Sequence, residues 1–305
     1  MVVGAVRRAV ALAPSHVTGV FSPSVESRDP RGRGSVGAGI VLDAGVRAIG
    51  RFDPAARHGL RLTSDLGRRL EISEDAAAHL LGDRRGRLEI HLLHTLPVGQ
   101  GFGSSAAGAM ATALVAARLL GRPRSAAIQA AHLADFFGRG GLGGVAAILG
   151  GGLEIRLRPG IPPFGRIEHH PIAGSVLVGT VGRALPSPSI LSRPRLLDRI
   201  RRSAGQIDQL ASRPTLEEFF RLSERFTDRV QLASPRLRAV IRSLRRRDTW
   251  AAQAMFGESF IALPRSRAAH RAVVDWLLDR DLAAVELRPA RRGAFAAPGS
   301  VGLPL

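Results

Sequence analysis

The residues of this chain best suited to chemistry are a run of glycines and serines. Leu96 to Gly121 reads LPVGQGFGSSAAGAMATALVAARLLG, a turn of small residues from Pro97 to Ser105 leading into an alanine-rich stretch that starts near Ser104 and stops at Gly121. Glycines at 99, 101 and 103 remove the Cβ atoms that would hold a phosphate away from the backbone. The first N–H groups of a helix, with the positive end of its dipole, point at an anion placed there. Ser104 and Ser105 can cap the helix and offer hydroxyls to a phosphate or a metal ion. Binding of a phosphorylated ligand is the chemistry that fits. A helix start packed tightly on a strand is the other reading.

Two formal motif matches fail on context. Gly101-x-Gly103-x-x-Ala106 fits the relaxed dinucleotide-binding fingerprint, which needs an acidic residue about 20 positions on, at the end of a second strand. Leu119 to Arg124 is instead a basic turn before another helical pattern. Gly32-x-Gly34-x-x-Gly37 matches too, but polar turn residues precede it and a strand, Ile40 to Ile49, follows. A Gly-Lys-Ser/Thr phosphate loop is excluded because the chain contains no lysine.

Other residues are candidates in isolation. His16, in the turn Pro14 to Gly19, can donate a hydrogen bond to a carboxylate or phosphate, or it is a surface histidine. Arg28, Arg31 and Arg33, with Asp29 and Ser35 in a glycine-rich loop, suit a small acid, since a guanidinium grips a carboxylate in a bidentate manner. A basic hairpin loop is the alternative. Asp135 stands near the end of a helical pattern, as a ligand or as a solvated carboxylate. His79, His91 and His94 have no carboxylates at metal spacing and read as core or surface residues.

Pro97-x-x-x-Gly101-Phe102-Gly103-Ser104-Ser105-Ala106-Ala107 resembles the phosphate-binding motif P-x-x-x-G-[LF]-G-S-[SG]-A-[AG] of the GHMP kinases, the superfamily of galactose, homoserine, mevalonate and phosphomevalonate kinases. Four further stretches are similar to the archaeal pantoate kinases: Ala13 to Phe21, Asp29 to Gly39, Gly141 to Ala147 with Gly150 to Arg156, and Ala251 to Gly257. They occur in family order from residue 11 to about residue 260. The resemblance implies transfer of the γ-phosphate of ATP to the primary hydroxyl of pantoate, giving 4-phosphopantoate for coenzyme A synthesis.

As implied by that resemblance, Pro97, Gly99, Gly101, Phe102, Gly103, Ser104, Ser105 and Ala106 hold ATP, and Ser104 and Asp135 hold Mg²⁺. His16, Arg28, Asp29, Arg31, Arg33, Ser35, Gly141 and Gly143 hold the acid, and Ser104, Asp135 and His16 form the catalytic set. Gln253 and Met255 line the cleft or serve helix packing. One departure stands out. The family pattern G-L-G-D ends in a carboxylate that serves as base or orients the acceptor hydroxyl, whereas this chain has Gly141-Leu142-Gly143-Gly144. Gly144 cannot take a proton. A slower kinase, a changed substrate and a non-catalytic nucleotide-binding relative all stay open, as does a kinase for another small hydroxy acid or alcohol.

The elements that must position these residues are legible in outline. Arg87 to Leu93 alternates as a half-buried strand, so the phosphate loop sits between strand and helix. Gly4 to Ala13 reads as a strand, Ser73 to Leu81 as a short acidic helix, Arg124 to Phe137 as an amphipathic helix and Leu153 to Leu157 as a strand. The proline- and glycine-rich 158–171 reads as a linker, Ser175 to Val181 as a strand and Gly182 to Ser189 as a loop. Leu191 to Arg247 is helical with Pro194, Pro214 and Pro235 near helix starts, then come a helix His270 to Leu278, a strand Ala283 to Leu287 and a loose tail 289–305. The expected fold is α+β, a two-domain GHMP kinase architecture with a ribosomal S5 domain 2-like N-terminal domain over residues 1–165 and an α+β C-terminal domain over 166–305.

Composition sets the bounds. A chain of 305 residues can bury a sizeable core, and the absence of cysteine excludes disulfides and thiolate chemistry. The N-terminal MVVGAVRRAVALAPSH lacks the continuous apolar run of a signal peptide, and no stretch approaches 18 apolar residues, so a soluble cytoplasmic protein with no membrane partner is expected. The net charge of +19 invites nucleic acid, but aromatic residues make up 5% of the chain and no nucleic-acid motif accompanies the arginines. Lysine, asparagine and tyrosine are absent while arginine abounds, the signature of a GC-rich coding sequence. No nucleic-acid partner is expected, and a homodimer is left open.

Overall fold

A computed structural model describes residues 5–183, 193–205 and 207–299. Its spine is one long antiparallel ribbon, β1 (Arg7–Ser24) against β2 (Gly34–Asp53), joined by a 3₁₀ turn at Pro30–Gly32. The half of β2 nearest this turn pairs with β5 (Leu153–Arg158), and its far half pairs with β4 (Arg87–His94). A seven-stranded sheet results, completed by β3 (Gly59–Ser64), β6 (Arg166–His170) and β11 (Phe295–Pro298).

One face of this sheet is covered by α1 (Glu71–Leu81), α2 (Ser104–Leu120) and α3 (Arg124–Phe137). Alanine dominates α2 because the helix is wrapped on nearly all sides: 15 of its residues are buried, and small side chains let its neighbours approach. Alanine also has the highest helix propensity. Gly121, at φ 68°, takes the left-handed conformation that ends the helix.

A second sheet runs β10-β7-β9-β8, built from β7 (Val176–Thr180), β8 (Thr249–Gln253), β9 (Ser259–Pro264) and β10 (Ala284–Leu287). With it pack α5 (Pro194–Ser203), α6 (Ile207–Ser212), α7 (Leu216–Val230), α8 (Pro235–Arg245) and α9 (Arg267–Leu278), while the short α4 (Gly144–Ala147) belongs with the first sheet. Pro194 and Pro235 begin helices, and the hydroxyls of Thr215, Ser234 and Ser266 accept backbone N–H groups at the starts of α7, α8 and α9. One core spans both halves, since Val17, Val20 and Phe21 of β1 bury against Phe219, Phe220 and Phe226 of α7. Phe21 and Phe226 meet edge to face with ring centres 5.7 Å apart.

Four sequence expectations are corrected. β1 does not end at Ala13. It runs through Pro14 to Gly19, with register shifts between Pro14 and Ser15 and between Thr18 and Val20. Bulges of this kind accommodate a proline and re-aim side chains within a continuing strand. Residues 158–171 are not a linker: β6 pairs back on β5, so the expected boundary at 165/166 meets the first residue of a strand in the large sheet. The tail contains β11, which returns to β1 with Leu12 opposite Phe295. Gln253 and Met255 are not in a helix, as 249–264 forms the β8–β9 hairpin. The loop expected over 182–189 lies, beyond 183, outside the described residues, as does the tail after 299. Among the described residues no helix is long and apolar enough to cross a membrane.

Candidate active site

The strand, loop and helix around residue 100 place the glycine turn at the centre of a cavity of about 120 Å³. Its walls include Gly99, Gly101, Gly103, Ser104, Ser105 and Ala106 on one side and His16, Ser35, Gly141, Gly143 and Arg156 on the other. Gly101 (φ 77°) and Gly103 (φ 66°) have left-handed backbone. A Cβ on Gly101 would stand 2.7 Å from the Ala254 carbonyl oxygen, and one on Gly103 would stand 3.0 Å from that of His16. The turn is therefore clamped between β1 and the 254–257 turn of the second sheet, with its backbone bared toward the cavity.

Pro97 and Phe102 support the loop from outside the cavity. Phe102 is buried in the shared core, and its carbonyl accepts the His16 N–H (3.0 Å). The Ser104 hydroxyl donates to the carbonyl of Pro97 (3.2 Å), which keeps its lone pairs for a partner in the cavity. Gly103 precedes the first helical residue as N-cap without a side-chain acceptor of its own, so the first N–H groups of α2 are left to an anion.

Asp135 reaches the same cavity from the last turn of α3 and is only 3% exposed. Ser105 Oγ donates to its Oδ1 (3.1 Å). Burial pushes the carboxyl up from 3.8 to about 6, and the Ser105 bond offsets part of that rise. A buried carboxylate with one hydrogen-bond donor thus stands beside the glycine cradle.

Beside the cradle lies a buried cluster. His16 Nε2 is 2.7 Å from Glu154 Oε1, and Arg156 NH1 donates to the same oxygen (2.6 Å). His16, Glu154 and Arg156 are 3%, 0% and 2% exposed. Among the described residues Glu154 Oε2 and Arg156 Nε have no hydrogen-bond partner. Burial drives the His16 pKa below its ordinary 6.5, against the pull of Glu154, and Arg156 lowers it further, which favours the uncharged ring. Nε2 carries the proton that the carboxylate accepts, and Nδ1 faces the Thr18 hydroxyl at 3.5 Å.

The sequence candidates are thus divided. His16, Ser35, Asp135, Gly141 and Gly143 line the cavity with the loop residues. Arg28, Asp29, Arg31 and Arg33 do not. Arg28 is exposed. Arg31 holds Asp29 through Nε (3.0 Å) and NH2 (2.6 Å) and lies over the Phe164 ring, an arrangement that keeps the Asp29 carboxyl at about 2. Arg33 Nε donates to the Ser27 carbonyl (2.7 Å). These arginines fold their own loop, which His132 Nε2 ties to α3 through the Pro30 carbonyl (3.1 Å). Glu154 and Arg156 were not among the sequence candidates. The available signal was a Glu and an Arg two residues apart in a short apolar strand, a spacing that puts both on one face.

With this geometry in view, comparisons with known proteins give one answer. The GHMP kinase N-terminal domain model matches residues 69–152. The chain is 30% identical to the pantoate kinase of Thermococcus kodakarensis over 270 residues, 86% of this chain and 89% of that one. It is 30% identical to the pantoate kinase of Methanospirillum hungatei over 262 residues, covering 84% and 87%. A solved structure described as a phosphotransferase related to the coenzyme A biosynthesis pathway superposes with a TM-score of 0.84 at 26% identity, covering 96% of this chain and 99% of that one. Homoserine kinase from Cytophaga hutchinsonii shares the fold at 15% identity, with a TM-score of 0.69 and coverage of 95% and 98%. The chain belongs to the pantoate kinase family of the GHMP kinases.

Proposed function

We propose that this protein transfers the γ-phosphoryl group of ATP to the primary hydroxyl of pantoate, forming 4-phosphopantoate. The observation that carries this reading is the pairing, in the walls of one small cavity, of a glycine-lined helix N-terminus with a buried arginine whose Nε lacks an acceptor among the described residues. The first suits a triphosphate and the second a small carboxylate.

In this reading the backbone of Gly99 to Ser105 holds the phosphates, and Ser104 and Asp135 hold Mg²⁺. Ser104 and Asp135 would offer it a hydroxyl and a carboxylate oxygen, the hard donors that Mg²⁺ takes. When bound, Mg²⁺ neutralises charge on the phosphates. Phosphoryl transfer gains most from positioning and charge neutralisation, which the loop, the helix dipole and Arg156 supply. Arg156 itself is fixed by Glu154, and Ser35 and Gly143 flank its Nε, the Gly143 backbone leaving room for the acid.

Pantoate and ATP KM values of Arg156→Met and Arg31→Met test the assignment. Loss of a charge-assisted hydrogen bond from Arg156 raises the pantoate KM about 10- to 100-fold with the ATP KM unchanged. Arg31→Met changes it by no more than about twofold, as expected for a surface substitution. The reverse pattern would return the acid to the 28–35 loop.

A further inference from the structure

The cavity needs a group to receive the acceptor's proton, and Gly144 offers none. Among the described residues three titratable side chains line it: His16, Asp135 and Arg156. The guanidinium of Arg156 carries hydrogen-bond donors and no acceptor. Asp135 is bonded to Ser105 at the end of the cavity assigned to the cation. Glu154, fully buried behind them and bound on one oxygen by both His16 and Arg156, is not part of the cavity wall. That leaves His16.

Its setting is that of an oriented base. The backbone N–H of His16 is bonded to Phe102 in the phosphate loop and its Nε2 to Glu154, so the ring is fixed at both ends. Gly39 makes room for the pair: a Cβ there would lie 2.2 Å from His16 Nε2 and 2.9 Å from Glu154 Oε1. The charged and titratable groups facing the ring are Glu154 and Arg156 of β5 and His169 of β6. Among the described residues the Nδ1 lone pair meets the Thr18 hydroxyl alone, a wall residue at the limit of hydrogen-bond distance, which a substrate hydroxyl can displace.

We propose that His16 Nδ1, oriented by the Nε2–H bond to Glu154, takes the proton of the acceptor hydroxyl and so replaces the carboxylate that Gly144 lacks. The inference rests on the kinase reading. As the acceptor oxygen bonds to the transferred phosphorus, its proton passes to Nδ1, the bond from that phosphorus to the departing ADP oxygen breaks, and the imidazolium formed is balanced by Glu154. Water takes the proton from His16 once product leaves. Glu154 is a positioning residue, since it acts through the ring.

The test combines nitrogen-15 NMR of the histidine rings in the wild-type protein at pH 7 with pH profiles of kcat. The proposal expects His16 protonated on Nε2 and bare on Nδ1. It expects His16→Gln to lower kcat about 100-fold or more at little change in either KM, the size of a lost general base. Glu154→Gln removes the charge that favours protonated His16, so the acid limb of the kcat profile moves to lower pH and the plateau falls. An Nδ1–H tautomer, an unmoved limb in Glu154→Gln, or a His16→Gln rate within about twofold of wild type overturns it. If His16→Gln does not fold by circular dichroism, the tautomer and the Glu154→Gln profile decide. Pantoate-dependent turnover by the wild type checks the underlying kinase reading separately from each of these.

Discussion

A Cβ built on Gly144 would lie 2.6 Å from the Cβ of Ala106, the third residue of the phosphate-loop helix. Real Cβ atoms essentially never approach so closely, so one of the two helices must shift to admit a side chain. The place where the expected G-L-G-D pattern has its aspartate is thus crowded by the packing of α4 on α2. Restoring the carboxylate should not restore a better enzyme. Gly144→Asp is expected to destabilise the fold by about 1–3 kcal/mol, the usual cost of overpacking, and not to raise kcat. Adding Ala106→Gly should recover part of the lost stability, a coupling expected of residues in contact. Urea denaturation of both variants measures this; an unchanged midpoint in Gly144→Asp contradicts the packing described.

Asp135 should make the metal-free protein less stable at neutral than at acid pH. Its carboxyl is raised from 3.8 to about 6 by burial, so the folded state binds the proton more tightly than the unfolded chain. Stability from this group is full below about pH 4 and lost as pH rises through about 6. A shift of about two pKa units corresponds to about 3 kcal/mol, an upper figure for one buried group. In EDTA, Asp135→Asn should therefore be more stable than wild type at pH 8, and the advantage should shrink at pH 4. An equal difference at both pH values would show that Asp135 does not titrate as described.

Gly103 combines positive φ with close contact to His16. Gly103→Ala places a side chain in the left-handed region, at a cost of about 1–2 kcal/mol, and pushes on the strand that carries His16. ATP affinity by calorimetry should fall at least about tenfold, the equivalent of that strain appearing on the binding conformation. Wild-type affinity in this variant would mean that the loop does not hold the phosphates.

How far the site could be read from the chain depends on how local its causes are. The loop from Gly99 to Ser105, the helix it starts and the stop at Gly121 follow from glycine, alanine content and capping, all properties of adjacent residues. The same holds for Asp135 at the end of α3. Pro14 to Gly19 reads as a turn because proline and glycine break strands in isolation. Only the pairing with β2 and two bulges keep it extended. Phe295 to Pro298 is too short to declare itself without β1 beside it. Arg28, Arg31 and Arg33 look like an anion site because the partners of Arg31 and Arg33 cannot be seen in composition; in the fold Asp29, Phe164 and the Ser27 carbonyl occupy those two. Glu154 and Arg156 became visible only when β2 and β6 closed over β5 from both sides.

The central claim, pantoate phosphorylation in the cavity between the glycine loop and the His16–Glu154–Arg156 cluster, is tested most directly by measuring ADP release from Mg²⁺-ATP with and without pantoate, with the product identified by phosphorus-31 NMR. The account predicts ADP release that depends on pantoate and a phosphomonoester on its primary hydroxyl in equal amount. ATP binding without pantoate-dependent release, or faster release with another hydroxy acid, would contradict it.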